Sequence, residues 1–323
     1  MRPAAVAMPS AGPGPAAPRL LIYGCGKLAE AMLSRWLSAA SLDPAAVTVV
    51  VPRLEHAAAL AAATGTRALV DSASSEGGAS GKGHGAAGAS DGLSAEVATA
   101  VAEADLILVA VKPQQLASLT TRLAVATRPS QLWISVLAGV SLAGLSASLP
   151  VRWQRWMPNT PCRVGLGLIA RCGESGGDAA ALLADALMPP LGAALWLPEA
   201  RFDAFTAVAG SGPAYVFAFA EALAAAGVGA GLDDEVSAAL ARDVVIGAAA
   251  LWAADARTPQ ALRAEVTSKG GTTEAALRLL LPPAPDEAAQ GGALGLPRLL
   301  AAAIAAAMAR SQALGAAAAR SRA

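Results

Sequence analysis

The sequence predicts an α/β protein in two parts, a doubly wound domain over residues 19–198 and an all-helical domain over 199–323. Three observations carry this. Short apolar runs alternate with helical patterns from residue 19 to residue 198, which is the arithmetic of βαβ units. A glycine-rich turn, Gly24-Cys25-Gly26, follows the first of those runs. Beyond Pro198 the strand-like runs stop and helical patterns alone remain.

Residues 1–18 are mostly Pro, Ala and Gly with one Arg, and read as a disordered tail, with an organelle transit peptide as the weaker alternative. "RLLIY" (19–23) is the first strand, and "KLAEAMLSRWLSAA" the first helix. "VTVVV" (47–51) and "LEHAAALAAAT" repeat the pair, and "RALV" is a short third strand. Residues 71–92 form a Gly/Ser/Ala tract that cannot bury enough apolar area to order itself. Because strands and helices alternate on both sides of it, the tract reads as a surface insert within the first domain. "ADLILVAV" (104–111) is apolar on both faces, as in a covered parallel sheet. "QLWISVLA" (131–138), "VRWQRWM" (151–157), "GLIARC" (167–172) and "ALWLP" (194–198) are further strands.

In the second part, "PAYVFAFAEALAAAGVGAG" and "DEVSAALARDVVIGAAALWAAD" are apolar nearly all the way round. Such helices must be covered on most faces. About 120 residues offer too little interior, so a second subunit is expected against them. The Pro/Gly-rich stretch 281–297 reads as a loop before a last helix.

Composition excludes several classes of function. With 24 Lys and Arg against 24 Asp and Glu, charge gives no push toward nucleic acid or an anionic membrane. Leu299–Met308 is mostly Ala, too short and too weakly apolar to span a bilayer, and reads as part of a buried helix. Three cysteines without paired spacing argue against a disulfide framework or a zinc site, and a reduced cytoplasmic enzyme without a metal is expected. His56 and His84 are the only histidines; neither sits in a catalytic context, which disfavours Ser-His-Asp and Cys-His chemistry.

Gly24-Cys25-Gly26-Lys27-Leu28-Ala29 is G-x-G-x-x-A between a strand and a helix. Gly24 permits the tight turn, Gly26 lets a pyrophosphate approach the backbone, and Ala29 lets the helix pack on the sheet. This is the Rossmann-type arrangement for a dinucleotide. The second strand ends at Val51-Pro52-Arg53 with no carboxylate to hold a ribose 2′-hydroxyl. Arg53 can pair a 2′-phosphate, so NADPH is favoured over NADH. Asp43 lies before Pro44, ahead of the strand, and reads as a turn residue. Lys112-Pro113 ends the 104–111 strand at the carboxyl edge, where ligands bind, and "WMPNTPCRVG" (156–165) reads as a second site wall.

"EVTSKGGTTEAAL" (265–277) holds hydroxyls and bare backbone in a loop before a helix starting near Thr273. Alone it reads first as a plain helix cap with Thr at the N-cap position.

Taken together, "GCGKLAEAM", "VAVKP", "LAGVSL", "MPNTP", "AGSGPAYVFAFAEAL" and "VTSKGGTTEAAL" make the chain, over about 19–320, resemble the pyrroline-5-carboxylate reductase family. The resemblance implies a Rossmann domain followed by a helical domain interlocked with a second subunit, with larger assemblies of dimers in the family. It implies hydride transfer from NAD(P)H to the C=N carbon of 1-pyrroline-5-carboxylate, giving L-proline. Carried over by motif, Lys27 and Leu28 line the phosphate turn. Ala110, Lys112, Pro113 and Ala138 border the cofactor. Ser268, Gly271, Thr272 and Thr273 hold the substrate, with Thr273 the catalytic candidate. Family members commonly have Ser-Pro-Gly-Gly where this chain has Ser268-Lys269-Gly270-Gly271. The usual adenosine contact after the third strand is interrupted by the insert. A hydroxyacid dehydrogenase with Lys269 as its acid, and a nucleotide-binding protein without activity, remain the alternatives.

Overall fold

The computed structural model describes residues 18–71, 93–281 and 295–320. All but the last residue of the predicted tail, most of the low-complexity tract and most of the Pro/Gly-rich loop lie outside those residues. Among the described residues, eight strands form one sheet in the order β3-β2-β1-β4-β5-β6-β7-β8. They are β1 (Leu20–Tyr23), β2 (Val47–Val51), β3 (Arg67–Val70), β4 (Leu106–Val109), β5 (Leu132–Ser135), β6 (Arg152–Pro158), β7 (Gly167–Gly173) and β8 (Gly192–Trp196). The first six are parallel and follow the 3-2-1-4-5-6 order of dinucleotide-binding sheets. Strands β4 and β5 are shorter than the apolar runs that announce them, because the residues beyond them turn out into carboxyl-edge loops.

The first-part helices are α1 (Lys27–Ser38), α2 (Leu54–Thr64), α3 (Ala95–Glu103), α4 (Leu116–Leu123), α5 (Leu142–Ser148) and α6 (Ala179–Ala186). They cover both faces of the sheet. Alternate residues of β1 therefore enter different cores, Leu20 and Ile22 with α1 and α2, Leu21 and Tyr23 with α3 and α4. Strand β7 runs antiparallel to β6, because only a 3-10 turn, Thr160–Val164, links them and no crossover helix fits there.

The sequence assigns Asp71 to the low-complexity tract, but the structure buries it. Its carboxylate accepts from the Tyr23 hydroxyl and pairs with Arg122 Nη1 at 2.7 Å. Short polar composition hides this, since the partners are 48 and 51 residues away. Asp43 is the expected turn residue, its carboxylate accepting from Ala45 N at 2.9 Å.

The second part contains α7 (Phe202–Phe205), a π-turn at Thr206–Gly210, α8 (Gly212–Gly229), α9 (Asp234–Ala254), α10 (Pro259–Glu265), α11 (Thr272–Leu280) and α12 (Leu296–Arg320). Helix α8 has no buried residue in the protomer, and α9 buries only Ser237 and Ala241. Among the described residues, three helical stretches, Glu199–Gly229, Asp234–Ala254 and Leu296–Ala317, are long and apolar enough to cross a membrane by length and composition. This corrects the expectation built on Leu299–Met308, which is only part of the first half of the 25-residue α12, and the helix is not buried in the protomer.

Candidate functional site

The candidate cofactor residues gather at the carboxyl edge of the sheet. Gly24 N donates to Val50 O and Ala110 N to Tyr23 O, both at 2.8 Å, so the turns after β1 and β4 are stitched together. Gly24 has φ +82°, and a Cβ there would lie 2.8–2.9 Å from Val111 and Ala110. Only glycine fits. At Gly26 the opposite holds: a Cβ would meet nothing within 4 Å, so its backbone faces open space. Gly26 is also the N-cap of α1, with no side-chain cap. The first-turn N–H groups of α1 point at that space without an intrahelical partner. These features fit a dinucleotide pyrophosphate.

Lys27 is exposed at the first position of α1, and Leu28 packs on the core. Arg53 is the exposed N-cap residue of α2, directly after β2, with no ion pair among the described residues. Lys112 and Pro113 begin the turn after β4, where Lys112 N donates to Gln115 Oε1 at 3.2 Å. Ala138 is exposed in the loop after β5. Cys25 sits inside the phosphate turn but is buried. Desolvation first, then the neighbouring Glu30, push its thiol up to about 12, so it stays a neutral packing group.

The hydroxyl-rich loop belongs to the second part, directly before helix α11. Helix α11 starts at Thr272, with Gly271 rather than a threonine as its N-cap and no side-chain cap. The start falls one residue before Thr273, close to the expectation, and the alternative of a threonine at the N-cap does not hold. Glycine takes the cap because a Cβ on Gly271 would sit 3.1 Å from the Ser268 carbonyl and closer still to its hydroxyl. Gly270, at φ +71°, donates its N–H to Glu274 Oε2 at 2.6 Å, which draws that carboxylate back against the loop. The hydroxyls of Ser268, Thr272 and Thr273 have no protein partner among the described residues. Thr273 is half-buried and Thr272 exposed. No hydrogen bond or ion pair among the described residues joins Ser268, Gly271, Thr272 or Thr273 to the cofactor edge of the same protomer.

The "MPNTP" stretch does not present Asn159 as a site wall. Asn159 is 6% exposed; its Oδ1 accepts from Leu168 N and its Nδ2 donates to Ala209 O, both at 2.9 Å. It clasps the sheet domain to the π-turn before α8. Sequence reading missed this role, although Pro213 signals it: Ala209 O is the carbonyl whose helical donor would be the absent N–H of residue 213.

A doubly wound sheet with an open Gly26 turn, joined to helices that expose a polar, uncapped helix start, defines a dinucleotide-dependent oxidoreductase with a separate helical domain. Residues 19–139 match the family model described as NADP oxidoreductase, coenzyme F420-dependent. Residues 199–314 match that of pyrroline-5-carboxylate reductase dimerisation. A pyrroline-5-carboxylate reductase from Pseudomonas aeruginosa is 40% identical over 191 residues, covering 56% of this chain and 68% of the relative. The solved structure of a Coxiella burnetii pyrroline-5-carboxylate reductase superposes with a TM-score of 0.73 at 26% identity, over 92% of this chain and 98% of the other. A Plasmodium falciparum pyrroline carboxylate reductase with NADP bound shares the fold, with a TM-score of 0.70 at 23% identity over 92% and 98% of the two chains. The chain belongs to the pyrroline-5-carboxylate reductase family, and its helical half is a dimerisation domain.

Proposed function

We propose that this protein reduces 1-pyrroline-5-carboxylate to L-proline with NADPH, as the last step of proline synthesis. One observation carries the assignment of the substrate site. Helix α11 opens on a glycine while two threonine hydroxyls and the free first-turn N–H groups lie together without internal partners. A helix N-terminus of this kind suits a carboxylate, and the adjacent hydroxyls suit a ring nitrogen.

NADPH supplies the hydride, so the chain needs no strong nucleophile. Gly24, Gly26, Lys27 and Leu28 form the pyrophosphate turn. Ala110, Lys112, Pro113 and Ala138 wall the cofactor, and Arg53 pairs the 2′-phosphate, favouring NADPH over NADH. Ser268, Gly271 and Thr272 hold the substrate carboxylate and ring. The Thr273 hydroxyl hydrogen-bonds the ring nitrogen and would orient the imine carbon toward the nicotinamide, rather than donating to a bare nitrogen. The Glu274 carboxylate next to it is taken up as the acceptor for Gly270 N, so no dedicated acid stands beside Thr273 among the described residues; the proton comes from solvent or arrives on the substrate nitrogen.

The enzyme works in the cytoplasm as a homodimer that associates into larger assemblies of dimers, without membrane or nucleic acid. The balanced charge supports this, as does the match of 199–314 to a dimerisation model, which gives the apolar helices a protein partner. The test is to follow NADPH and NADH oxidation with 1-pyrroline-5-carboxylate, alongside a hydroxyacid run in reverse with NADP+. Imine-dependent oxidation with proline as product supports the reading. Turnover of the hydroxyacid alone would overturn it.

A further inference from the structure

Helix α12 contains a single glycine, Gly315, in a run otherwise dominated by alanine. Glycine is the poorest helix former after proline, so local preference alone puts alanine there. The tertiary contact explains the choice. Gly315 lies against Gly139, in the loop between β5 and α5. A Cβ on Gly139, which has φ +73°, would come within 2.9 Å of Gly315 N, and a Cβ on Gly315 within 3.2 Å of Gly139 O. Two backbones touch: Gly139 has no room for a side chain, and a Cβ at Gly315 fits only if Gly139 gives by a few tenths of an ångström.

That loop bears Ala138. Its ends are fixed: Val136 N donates to Val109 O at 3.2 Å, Leu137 N to Ser135 Oγ at 3.3 Å, and Leu142 N to Glu199 Oε1 at 2.7 Å. Leu137 and Val140 are buried in the core. Between them, no hydrogen bond among the described residues holds the amides of Ala138, Gly139 or Val140. Packing alone sets the loop's middle, and α12 is what packs there. The helix is tied in place by Ser311 Oγ, which donates to Asp203 Oδ1 at 2.6 Å.

We infer that Gly315 is a positioning residue for the reduction: through its backbone contact with Gly139, the C-terminal helix sets the Ala138 loop and so the placement of the nicotinamide ring. This rests on the proposed role of Ala138 at the cofactor. Arg53, the proposed partner of the 2′-phosphate, stands on another loop, after β2, so the contact governs ring placement more than affinity.

The test is a graded series, Gly315→Ala and Gly315→Val, in the full-length protein. The expected result is a fall in kcat of roughly threefold for Ala and more than tenfold for Val, with KM for NADPH within threefold of wild type. Independently of turnover, the fluorescence anisotropy of saturating bound NADPH should fall in Gly315→Val, as the ring gains freedom, while its dissociation constant stays within threefold. Wild-type kcat and anisotropy in Gly315→Val would overturn the inference. So would a loss seen only with dissociation or a collapsed melting temperature in Val, if Gly315→Ala is catalytically normal. Should wild type show no imine reduction at all, the functional reading fails; the anisotropy difference then decides the positioning role on its own.

Discussion

Thr273 and Arg53 carry the proposed chemistry at the scale of single residues. The hydroxyl of Thr273 is not occupied in capping α11, since Gly271 takes that position. Thr273→Ala should therefore lower kcat by roughly ten- to a thousandfold, the scale of losing one preorganised polar contact, with little change in melting temperature. NADPH affinity should barely move. Thr273→Ser should recover most of the rate if the hydroxyl matters, and Thr272→Ala is the control that exposes a wrong choice within the pair. Arg53 stands at the end of β2, where a carboxylate would select NADH. Arg53→Ala should raise KM for NADPH about ten- to a hundredfold, the loss of one charge-assisted hydrogen bond, and leave KM for NADH nearly unchanged. Equal effects on both cofactors would count against the assignment.

Among elements, the junction between the β6–β7 corner and α8 departs furthest from simple periodicity. Ser211 N reaches back to Thr206 O at 2.8 Å, a π-type bond, so Ala207 O loses its usual donor and accepts from the Tyr215 hydroxyl at 3.0 Å. Pro213 cannot donate to Ala209 O, and Asn159 does so instead. Each irregular carbonyl thus has a side-chain partner. Asn159→Ala removes two buried hydrogen bonds and leaves Leu168 N and Ala209 O unmatched. It should destabilise the protein by about 2–5 kcal/mol in denaturant unfolding. Asn159→Asp should keep the bond from Leu168 N but repel Ala209 O, and fall no closer to wild type. The motif "MPNTP" was legible as a fixed turn with two prolines. Its clasp on Ala209, 50 residues on, was not, because sequence spacing carries no record of which distant carbonyl lacks a donor.

For the whole molecule, the exposed apolar surface is the dominant feature. On α8, Val216, Phe217 and Phe219 are 47%, 64% and 46% exposed; on α9, Val244 and Ile246 are 53% and 54% exposed. A patch of this size on a protomer marks a protein interface, which agrees with the dimerisation match over 199–314. Phe217→Asp combined with Ile246→Asp should yield monomers in sedimentation velocity. In a twofold dimer four side chains are lost, at roughly 1.5–3 kcal/mol each, enough to weaken association by at least about a thousandfold. Activity should fall with the dimer, since the helical loop and the cofactor edge of one protomer share no hydrogen bond or ion pair among the described residues.

The sequence by itself determined the eight-strand alternation, the glycine turn at Gly24 and Gly26, the change to helix after Pro198, and the excess apolarity that demands a partner. These are legible because they depend on local periodicity, on backbone freedom at one or two residues, and on the balance of apolar surface against chain length. Tertiary structure alone decided the rest. Asp71 reads as part of a polar tract until Tyr23 and Arg122 close on it. Strand β7 reads like any other until the short Thr160–Val164 link forces it antiparallel. Gly315 is one glycine in an alanine helix until Gly139 comes against it. Each depends on which atoms meet across tens or hundreds of residues, and that is fixed by packing in three dimensions, where no local pattern records it.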